Sequence, residues 1–341
     1  MTGLRPMRTH AALWMAIPGL RRAYYAALAL AYGLLRALSE LPRAAQILPD
    51  SSDYLGNAQA PLNFAFFVFP KPAGAALIDK LLGGDLARIV TLQTVLSIVS
   101  WLALAAALTG LLRTPTLRLV AFPAVLLAGC CADVLAQTAV ILTESLSISF
   151  FVLTLAALLI LLQKPSLAAG LAFVLLAVFW GLIKESNGLM LGAAAGLLGL
   201  GGLLARRRAH LLAAALALFC AFLLFQGFSN LGDRWRFPLL NVIAQRVLTD
   251  PQKLDFFATQ GMPVTPALLE LTGQWGYSND HAFVNAAELR DFQEWLARSG
   301  KVTFYRYLLA HPASTLSDPL RHLGQMLSPA DNPLAPAAAL L

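Results

Sequence analysis

The chain has 341 residues, of which 58% are apolar and only 13% are charged. A soluble globular protein carries about 25% charged residues, because its surface must face water. Half of that fraction cannot cover a soluble particle of this size. The composition therefore predicts an integral membrane protein and excludes a soluble enzyme, a disordered chain and a disulfide scaffold.

The net charge of +7 comes from 25 Lys and Arg residues against 18 Asp and Glu residues. In a membrane protein such an excess sets the topology and contacts anionic lipid headgroups. The sequence shows no basic stripe interleaved with aromatic residues, so we expect membrane lipid and not nucleic acid as a partner.

Seven apolar runs approach the ~20 helical residues that cross a bilayer. In chain order they cover about residues 23–38, 88–112, 119–131, 146–162 and 167–183, then a run that ends near 205, and finally 211–228. A long polar connection at 39–87 separates the first two runs. We therefore predict an all-α membrane protein with about seven transmembrane helices in a module at 23–228.

Two regions flank this module. Residues 1–22 form a basic segment that we expect at the membrane interface. Residues 229–341 regain charges, prolines and tryptophans, and the patterns at 291–296 and 302–310 predict short amphipathic helices. The apolar stub after Pro336 is typical of the beginning of another span, so we expect a chain that is truncated there or ends close to the membrane.

Basic residues alternate along the chain in step with the predicted spans. Short loops rich in Lys and Arg stay in the cytoplasm. The candidate inner segments hold Arg5, Arg8, Arg21 and Arg22, then Arg113 and Arg118, then Lys164, and then Arg206 to Arg208. We expect the amino terminus in the cytoplasm and the region after 228 outside. The Ala-, Leu- and Arg-rich usage is typical of a GC-rich bacterial genome and predicts a multi-pass protein of the plasma membrane.

The outer connection contains the stretch Pro49-Asp50-Ser51-Ser52-Asp53-Tyr54. Two carboxylates three residues apart share one face of a helix. Such a pair can hold one group as a general base, poised by the charge of the other, or bind a divalent metal through oxygen ligands. The alternative is a helix start, with Asp50 or Ser51 as the N-cap and Asp53 in the first turn.

Other ionisable residues lie at the predicted outer ends of the spans, where a charge is either functional or simply water-facing. For Lys184 the simple alternative is a lysine that snorkels at a helix end. For Glu144 it is the favourable position of an acid at a helix N-terminus. We expect three further residues to be water-facing, namely Asp79, Lys80 and Glu185.

Four sequence elements occur in an order and on a predicted side that together resemble one family. They are the acidic Asp50-x-x-x-Tyr54 stretch followed by Phe69-Pro70-Lys71-Pro72, the span opening Arg88-Ile89-Val90-Thr91-Leu92-Gln93, the turn Leu142-Thr143-Glu144-Ser145-Leu146, and the span end Phe179 to Asn187. The segment from about 20 to 230 resembles the GT-C glycosyltransferases. That family includes the protein O-mannosyltransferases and the lipid A aminoarabinose transferases.

The resemblance implies an enzyme that takes a sugar from a polyprenyl-phosphate carrier. It passes the sugar to a glycan, lipid or protein acceptor on the outer face and inverts the anomeric carbon. The family places its general base four residues before the tyrosine, which here is Asp50 before Tyr54. Asp53 departs from the family pattern, because the second acidic position usually lies beside the first. It assists the base, binds acceptor or metal, or caps the helix.

A leaving phosphate needs cations to hold its growing charge. Lys71 and Lys184 are the outer lysines best placed for that role, and Arg88 is third, while Glu144 is included because its motif matches. No cofactor is firmly expected beyond the lipid-linked donor, and a divalent metal is left open. The Arg234-Trp235-Arg236 run offers groups for an acceptor site, or else belongs to a small aromatic core.

Three other hypotheses remain. A transporter or flippase component usually shows repeats and charges at the bilayer midplane, whereas this chain has no repeat and gathers its charges at one interface. An O-antigen ligase or polymerase would favour arginine-rich outer loops, whereas the first outer loop here is acidic. An accessory subunit without activity is the last alternative.

Overall fold

The computed structural model describes residues 18–204, 208–274 and 286–315, together with 317 and 320. Within these ranges every named element is helical, and the one β-type pairing joins Gln46 to Val140. The chain divides into two compact units, Met1–Arg234 and Trp235–Leu341. Most of the predicted interfacial segment at 1–22 and the predicted apolar stub at the carboxyl end lie outside the described residues.

The first unit consists of eleven helices in the part of the chain that the structure describes. They are α1 Pro18–Glu40, α2 Ser51–Gln59, α3 Phe64–Phe67, α4 Ala73–Leu81, α5 Leu86–Leu111, α6 Pro115–Ala128, α7 Ala132–Gln137, α8 Thr143–Gln163, α9 Leu167–Ile183, α10 Glu185–Leu204 and α11 Arg208–Leu231. Each of the seven predicted spans coincides with one of these helices. The short helices α2, α3 and α4 all lie in the connection between α1 and α5.

Four of the helices are long and apolar enough to cross a membrane: α5, α8, α10 and most of α11. Helices α6 and α9 are equally apolar but shorter, with 14 and 17 residues. The prediction of an all-helical protein with membrane-spanning helices is confirmed to this extent for the described residues.

Helix α5 packs against α1, α6 and α8, α8 in turn packs against α9, and α9, α10 and α11 pack together. One core cluster joins α5 to α1 and α6 through Tyr32, Ala105 and Phe122, and a second joins α8 to α9, α10 and α11. The second cluster is rich in alanine, with Ala157, Ala177, Ala195 and Ala214 among its buried members. Small side chains let helix backbones approach closely, which is how helices associate where lipid removes the hydrophobic driving force.

The connections that the topology predicts on the outer side contact one another at one end of this bundle. The Gln46 backbone accepts a hydrogen bond from the Ile141 N–H (3.0 Å), and its own N–H donates to the Ala139 carbonyl (2.8 Å). Arg43 Nη1 donates to the Leu135 carbonyl (3.0 Å). The long connection after α1 is therefore fastened to the segment between α6 and α8.

A buried arginine anchors this end of the bundle. The Arg36 guanidinium donates to both carboxylate oxygens of Glu40, to the Tyr32 hydroxyl (2.8 Å), to the Ser97 hydroxyl (2.9 Å) and to the Gly129 carbonyl. All five of its N–H groups are used, as a buried guanidinium requires. The network links α1, α5 and the end of α6, and both charged side chains are buried.

The second unit is a small helical domain with its own core. Its described elements are α12 Arg236–Val242, a π-helical segment Ile243–Val247, α13 Pro251–Thr259, α14 Pro266–Leu269, a 3₁₀ turn Ala287–Leu289, α15 Arg290–Trp295, a second π-helical segment Leu296–Gly300 and α16 Lys301–Ala310. The helices predicted at 291–296 and 302–310 correspond to α15 and α16. Fully buried Leu240, Ile243, Phe257 and Leu268 form the centre of the core.

We predict that Arg36→Met lowers the free energy of unfolding by about 3–5 kcal/mol, because the substitution leaves Glu40 as a buried charge without its partner. The measurement is denaturant unfolding of the purified protein in detergent. The exposed Arg290→Met is the matched control and should change stability little. The double variant Arg36→Met/Glu40→Met should recover part of the loss; a double variant as unstable as the single one would contradict this account.

Candidate functional site

Two carboxylates at the start of α2 meet a lysine that lies just before α4. Lys71 Nζ lies 3.1 Å from Asp50 Oδ1 and 3.6 Å from Asp53 Oδ2. The carboxylate side chains are 57% and 49% exposed, whereas the lysine side chain is largely buried. The lysine ammonium pairs with both acids, and about half of each carboxylate side chain stays accessible to a ligand.

The alternative of a plain helix start accounts for only part of this geometry. Helix α2 begins at Ser51, so Asp50 occupies the N-cap position and Asp53 lies in the first turn. However, the Asp50 side chain makes no capping hydrogen bond. The Ser51 hydroxyl instead accepts from the Leu48 N–H (2.9 Å). The Asp50 carboxylate is therefore directed to Lys71 and not to the helix backbone.

Tyr54 is buried directly beneath these acids. It packs against Ala75, Ile78, Leu146 and Ile183, which come from α4, α8 and α9. Burial raises the pKa of the Tyr54 hydroxyl well above its usual range, and the neighbouring negative charges act in the same direction. The phenol therefore stays protonated, and its role is to fix α2 against the bundle.

A second ion pair lies on the other side of Tyr54. Lys184 Nζ is 2.9 Å from Glu144 Oε1, and the Thr143 hydroxyl donates to Glu144 Oε2 (3.3 Å). The negative charge of Glu144, like the charges of Asp50 and Asp53, raises the pKa of the Tyr54 hydroxyl. Tyr54 is therefore close to the acidic residues of both ion pairs.

The structure brings together six of the seven residues predicted for the site. They are Asp50, Asp53, Tyr54, Lys71, Glu144 and Lys184. Arg88, the seventh, lies in the first turn of α5, where its exposed side chain pairs with Asp85 (3.2 Å).

Helix α4 packs closely against the end of α9, and this contact fixes the two segments relative to each other. A Cβ atom at Gly74 would lie 2.8 Å from the Ile183 N and from the Leu182 carbonyl oxygen. Only glycine allows an approach this close without a shift of backbone. Because Lys71 comes just before α4 and Lys184 just after α9, this contact sets the distance between the two lysine-bearing segments.

Arg234 holds the loop that carries Lys71, a role that sequence reasoning missed. Its Nε donates to the Phe69 carbonyl (2.7 Å), its Nη2 to the Phe67 carbonyl, and its Nη1 to Glu185 Oε1 (3.0 Å). The side chain is almost entirely buried. The expectation that Glu185 is simply water-facing is therefore wrong, because this carboxylate is the partner of a buried guanidinium.

The end of α11 directs Arg234 into this position. Asp233 adopts a left-handed backbone conformation with φ +50°, which aspartate tolerates better than most residues. The Arg234 N–H donates back to the Ser229 carbonyl (3.0 Å), which closes the helix end. The only sequence signal for these contacts of Arg234 is that an arginine follows the last apolar helix.

Asp79 and Lys80 also differ from expectation. The Asp79 side chain is buried, and burial raises its pKa to about 7. Lys80 Nζ donates to the Ala58 and Ala60 carbonyls at 3.0 and 2.8 Å. Both residues therefore belong to the packing of α4 against the end of α2, and the prediction that they face water is wrong.

Among the described residues, no group of three or more His, Cys, Asp or Glu side chains is arranged to hold a metal ion. A divalent ion at Asp50 and Asp53 would therefore need further ligands from water or from a substrate. No protein-family model, no curated protein and no solved structure matches the chain. An assignment of function consequently depends on the residues of the site.

We predict that Arg234→Gln loosens the loop from Phe66 to Pro72 without unfolding the bundle. The loss of hydrogen bonds to a charged group, each contributing about 1.5–3 kcal/mol, should raise amide hydrogen exchange in this loop roughly 10- to 100-fold. The control is Arg236→Gln, two residues further along. Uniformly faster exchange in every helix would indicate a general loss of stability and contradict the local role.

We predict that Asp79 makes the protein less stable as the pH rises. The folded state holds this proton up to about pH 7, whereas an unfolded chain releases it near pH 4. The contribution of the protonated Asp79 to the free energy of unfolding is therefore fully present below pH 4. It is lost as the pH rises to 7, by about 1.4 kcal/mol per pH unit. Asp79→Asn should match the wild type at pH 4 and be more stable at pH 8.

Thermal unfolding at the two pH values measures this difference. Asp133→Asn, at an exposed position in α7, is the control and should follow the wild type at both. An Asp79→Asn protein that loses stability between pH 4 and 8 as steeply as the wild type would contradict the prediction.

Proposed function

We propose that the protein is a membrane glycosyltransferase of the GT-C type. It transfers a sugar from a polyprenyl-phosphate carrier to an acceptor hydroxyl at the outer face of the plasma membrane. The observation that supports this proposal is the pair of half-exposed carboxylates, Asp50 and Asp53, beside Lys71 and next to the Glu144–Lys184 pair. A base and two cations within one site are what transfer from a phosphate-linked donor requires.

The proposed topology has seven spans: α1, α5, α6, α8, α9, α10 and α11. Helix α6 would extend only about 21 Å at 1.5 Å per residue, less than the ~30 Å hydrocarbon core. Irregular backbone at membrane depth is tolerated where protein satisfies its polar groups. The segment after α6 meets that condition, because Arg36 binds the Gly129 carbonyl and Arg43 binds the Leu135 carbonyl.

A side-chain amide of α5 supports the same segment. In the orientation that satisfies its amide, Gln93 donates to the Thr138 carbonyl (3.0 Å) and the Val140 carbonyl (3.2 Å). In the proposed topology the crossing begun by α6 is completed by the short helix α7 and the irregular backbone on either side of it. The basic inner loops then place the amino terminus in the cytoplasm and the site outside.

In the proposed reaction Asp50 is the general base. The acceptor hydroxyl oxygen attacks the anomeric carbon, the bond from that carbon to the carrier phosphate oxygen breaks, and the hydroxyl proton passes to the Asp50 carboxylate. Direct displacement inverts the configuration at the anomeric carbon. The carrier leaves as polyprenyl phosphate.

The cations of the site hold the charge that develops on the leaving phosphate. Lys184 is exposed enough to meet a ligand, and an ammonium has three N–H donors, so its bond to Glu144 can coexist with a bond to phosphate. Lys71, which pairs with both acids, is the second proposed cation, whereas Arg88 pairs with Asp85 outside this cluster and has no role in the proposed reaction. Asp53 assists by orienting the acceptor through a hydrogen bond.

We predict that Asp50→Asn lowers sugar transfer by ~10² to 10⁴-fold, the usual contribution of a positioned base. The substitution keeps the shape of the side chain and removes its basicity. The measurement is transfer of labelled sugar from polyprenyl-phosphate donors in proteoliposomes, with and without a chelator. Asp133→Asn is the matched control and should retain wild-type activity.

The outcomes of this assay separate the hypotheses. Equal transfer by wild type and Asp50→Asn would remove Asp50 from the chemistry and direct attention to Asp53. Folded wild-type protein that transfers no sugar from any donor would overturn the proposal, and movement of the lipid across the bilayer without transfer would favour a flippase. Loss of activity with the chelator would add a metal ion to the mechanism.

A further inference from the structure

Helix α16 of the second unit has two apolar faces on opposite sides. One face carries the buried Thr303 and the partly buried Phe304 and Tyr307, which pack on the core of the unit. The opposite face carries Val302, Tyr305 and Leu309, which are 52%, 45% and 82% exposed. Positions i, i+3 and i+7 of a helix lie on one side, so these three side chains form a continuous exposed stripe.

Two cations border this stripe. On a helix of 3.6 residues per turn, Lys301 lies along one edge of the stripe and Arg306 along the other. The Lys301 ammonium lies 5.8 Å from the centre of the Trp235 ring, and Arg306 Nη1 donates to Gln260 Oε1 (3.2 Å). The sequence from Arg298 to Thr315 contains no acidic residue. The exposed face of α16 is therefore apolar in the middle and positive at its edges.

This arrangement is typical of a helix that lies in the plane of a membrane. Such a helix buries its apolar stripe at the boundary of headgroups and acyl chains, while long basic side chains reach the lipid phosphates. Anionic lipids attract each basic residue by about 1 kcal/mol near the surface. The stripe is apolar and the edges are basic, so the charge of an anionic bilayer is complementary to this face.

A short connection joins the second unit to a helix that is long and apolar enough to cross a membrane. Helix α11 is apolar enough to cross a membrane and ends at Leu231, and α12 begins at Arg236, so four residues separate them. Four extended residues span at most about 14 Å. The chain therefore enters the second unit close to the place where α11 ends.

We propose that α16 is an interfacial helix whose Val302–Tyr305–Leu309 stripe docks on the surface of an anionic bilayer. Lys301 and Arg306 contact the lipid phosphates on either side of the stripe. The occupant of this surface is lipid and not a second protein chain. The proposal concerns only the second unit and does not depend on the enzymatic activity proposed above.

The test uses the full-length protein in lipid nanodiscs that contain phosphatidylglycerol and phosphatidylcholine. The three free cysteines, Cys130, Cys131 and Cys220, are replaced by alanine, and a nitroxide is attached at Leu309→Cys. Collision with oxygen, which concentrates in lipid, is compared with collision with a water-soluble nickel chelate. The control carries the nitroxide at Glu288→Cys, an exposed position of the same unit.

We expect the nitroxide at 309 to meet the nickel chelate roughly threefold less often than the one at 288, and to meet oxygen more often. Lys301→Gln and Arg306→Gln should each reduce the docked population about fivefold in phosphatidylglycerol, the effect of ~1 kcal/mol per basic residue. Neither substitution should matter in pure phosphatidylcholine. Equal exposure to the chelate at 309 and 288 would overturn the proposal.

A protein contact on the stripe would give a different result. A nitroxide at 309 that is shielded from both oxygen and the chelate lies against protein, which would also overturn the proposal. Dipolar broadening between labelled copies would identify the covering protein as a second copy. Circular dichroism of each variant confirms that an altered signal does not come from unfolding.

Discussion

Two buried arginines, Arg36 and Arg234, fix irregular segments of the chain. A guanidinium taken out of water needs a hydrogen-bond partner for each of its N–H groups. Arg36 meets the requirement with Glu40, two hydroxyls and the Gly129 carbonyl. Arg234 donates three hydrogen bonds, to Glu185 and to two carbonyls of the segment before Lys71. Each arginine thereby fixes a non-helical stretch of chain against the helices. The candidate site takes Lys71 from the loop that Arg234 fixes and its other residues from the ends of α2, α8 and α9.

The candidate site consists of buried groups and exposed groups. Tyr54 and Gly74 lie within the packing of α2, α4, α8 and α9, and they determine where the charged residues stand. The side chains of Asp50 and Asp53 are about half exposed to water. The charged groups of the candidate site are therefore accessible, whereas the residues that position them are buried.

The helices could be predicted from the sequence because apolar runs of membrane length are a direct signal. The cluster of Asp50, Tyr54, Glu144 and Lys184 could be anticipated because the topology predicted from the apolar runs and basic loops puts their segments on one side. The burial of charged side chains could not be predicted from the sequence. Asp79 and Arg36 lie near helix ends, where charged side chains ordinarily face water or snorkel. Their burial depends on how α4 and the end of α6 fold back, and local sequence contains no signal for that.

The break between α9 and α10 has a mechanical consequence. Lys184 is extended there, with φ −147° and ψ 142°, so its side chain and that of Glu185 point to opposite partners. One partner is Glu144 at the start of α8, and the other is the arginine clamp on the Lys71 loop. A single peptide bond therefore joins the residue that pairs with Glu144 to the residue that pairs with Arg234, so neither ion pair can shift far without moving the other.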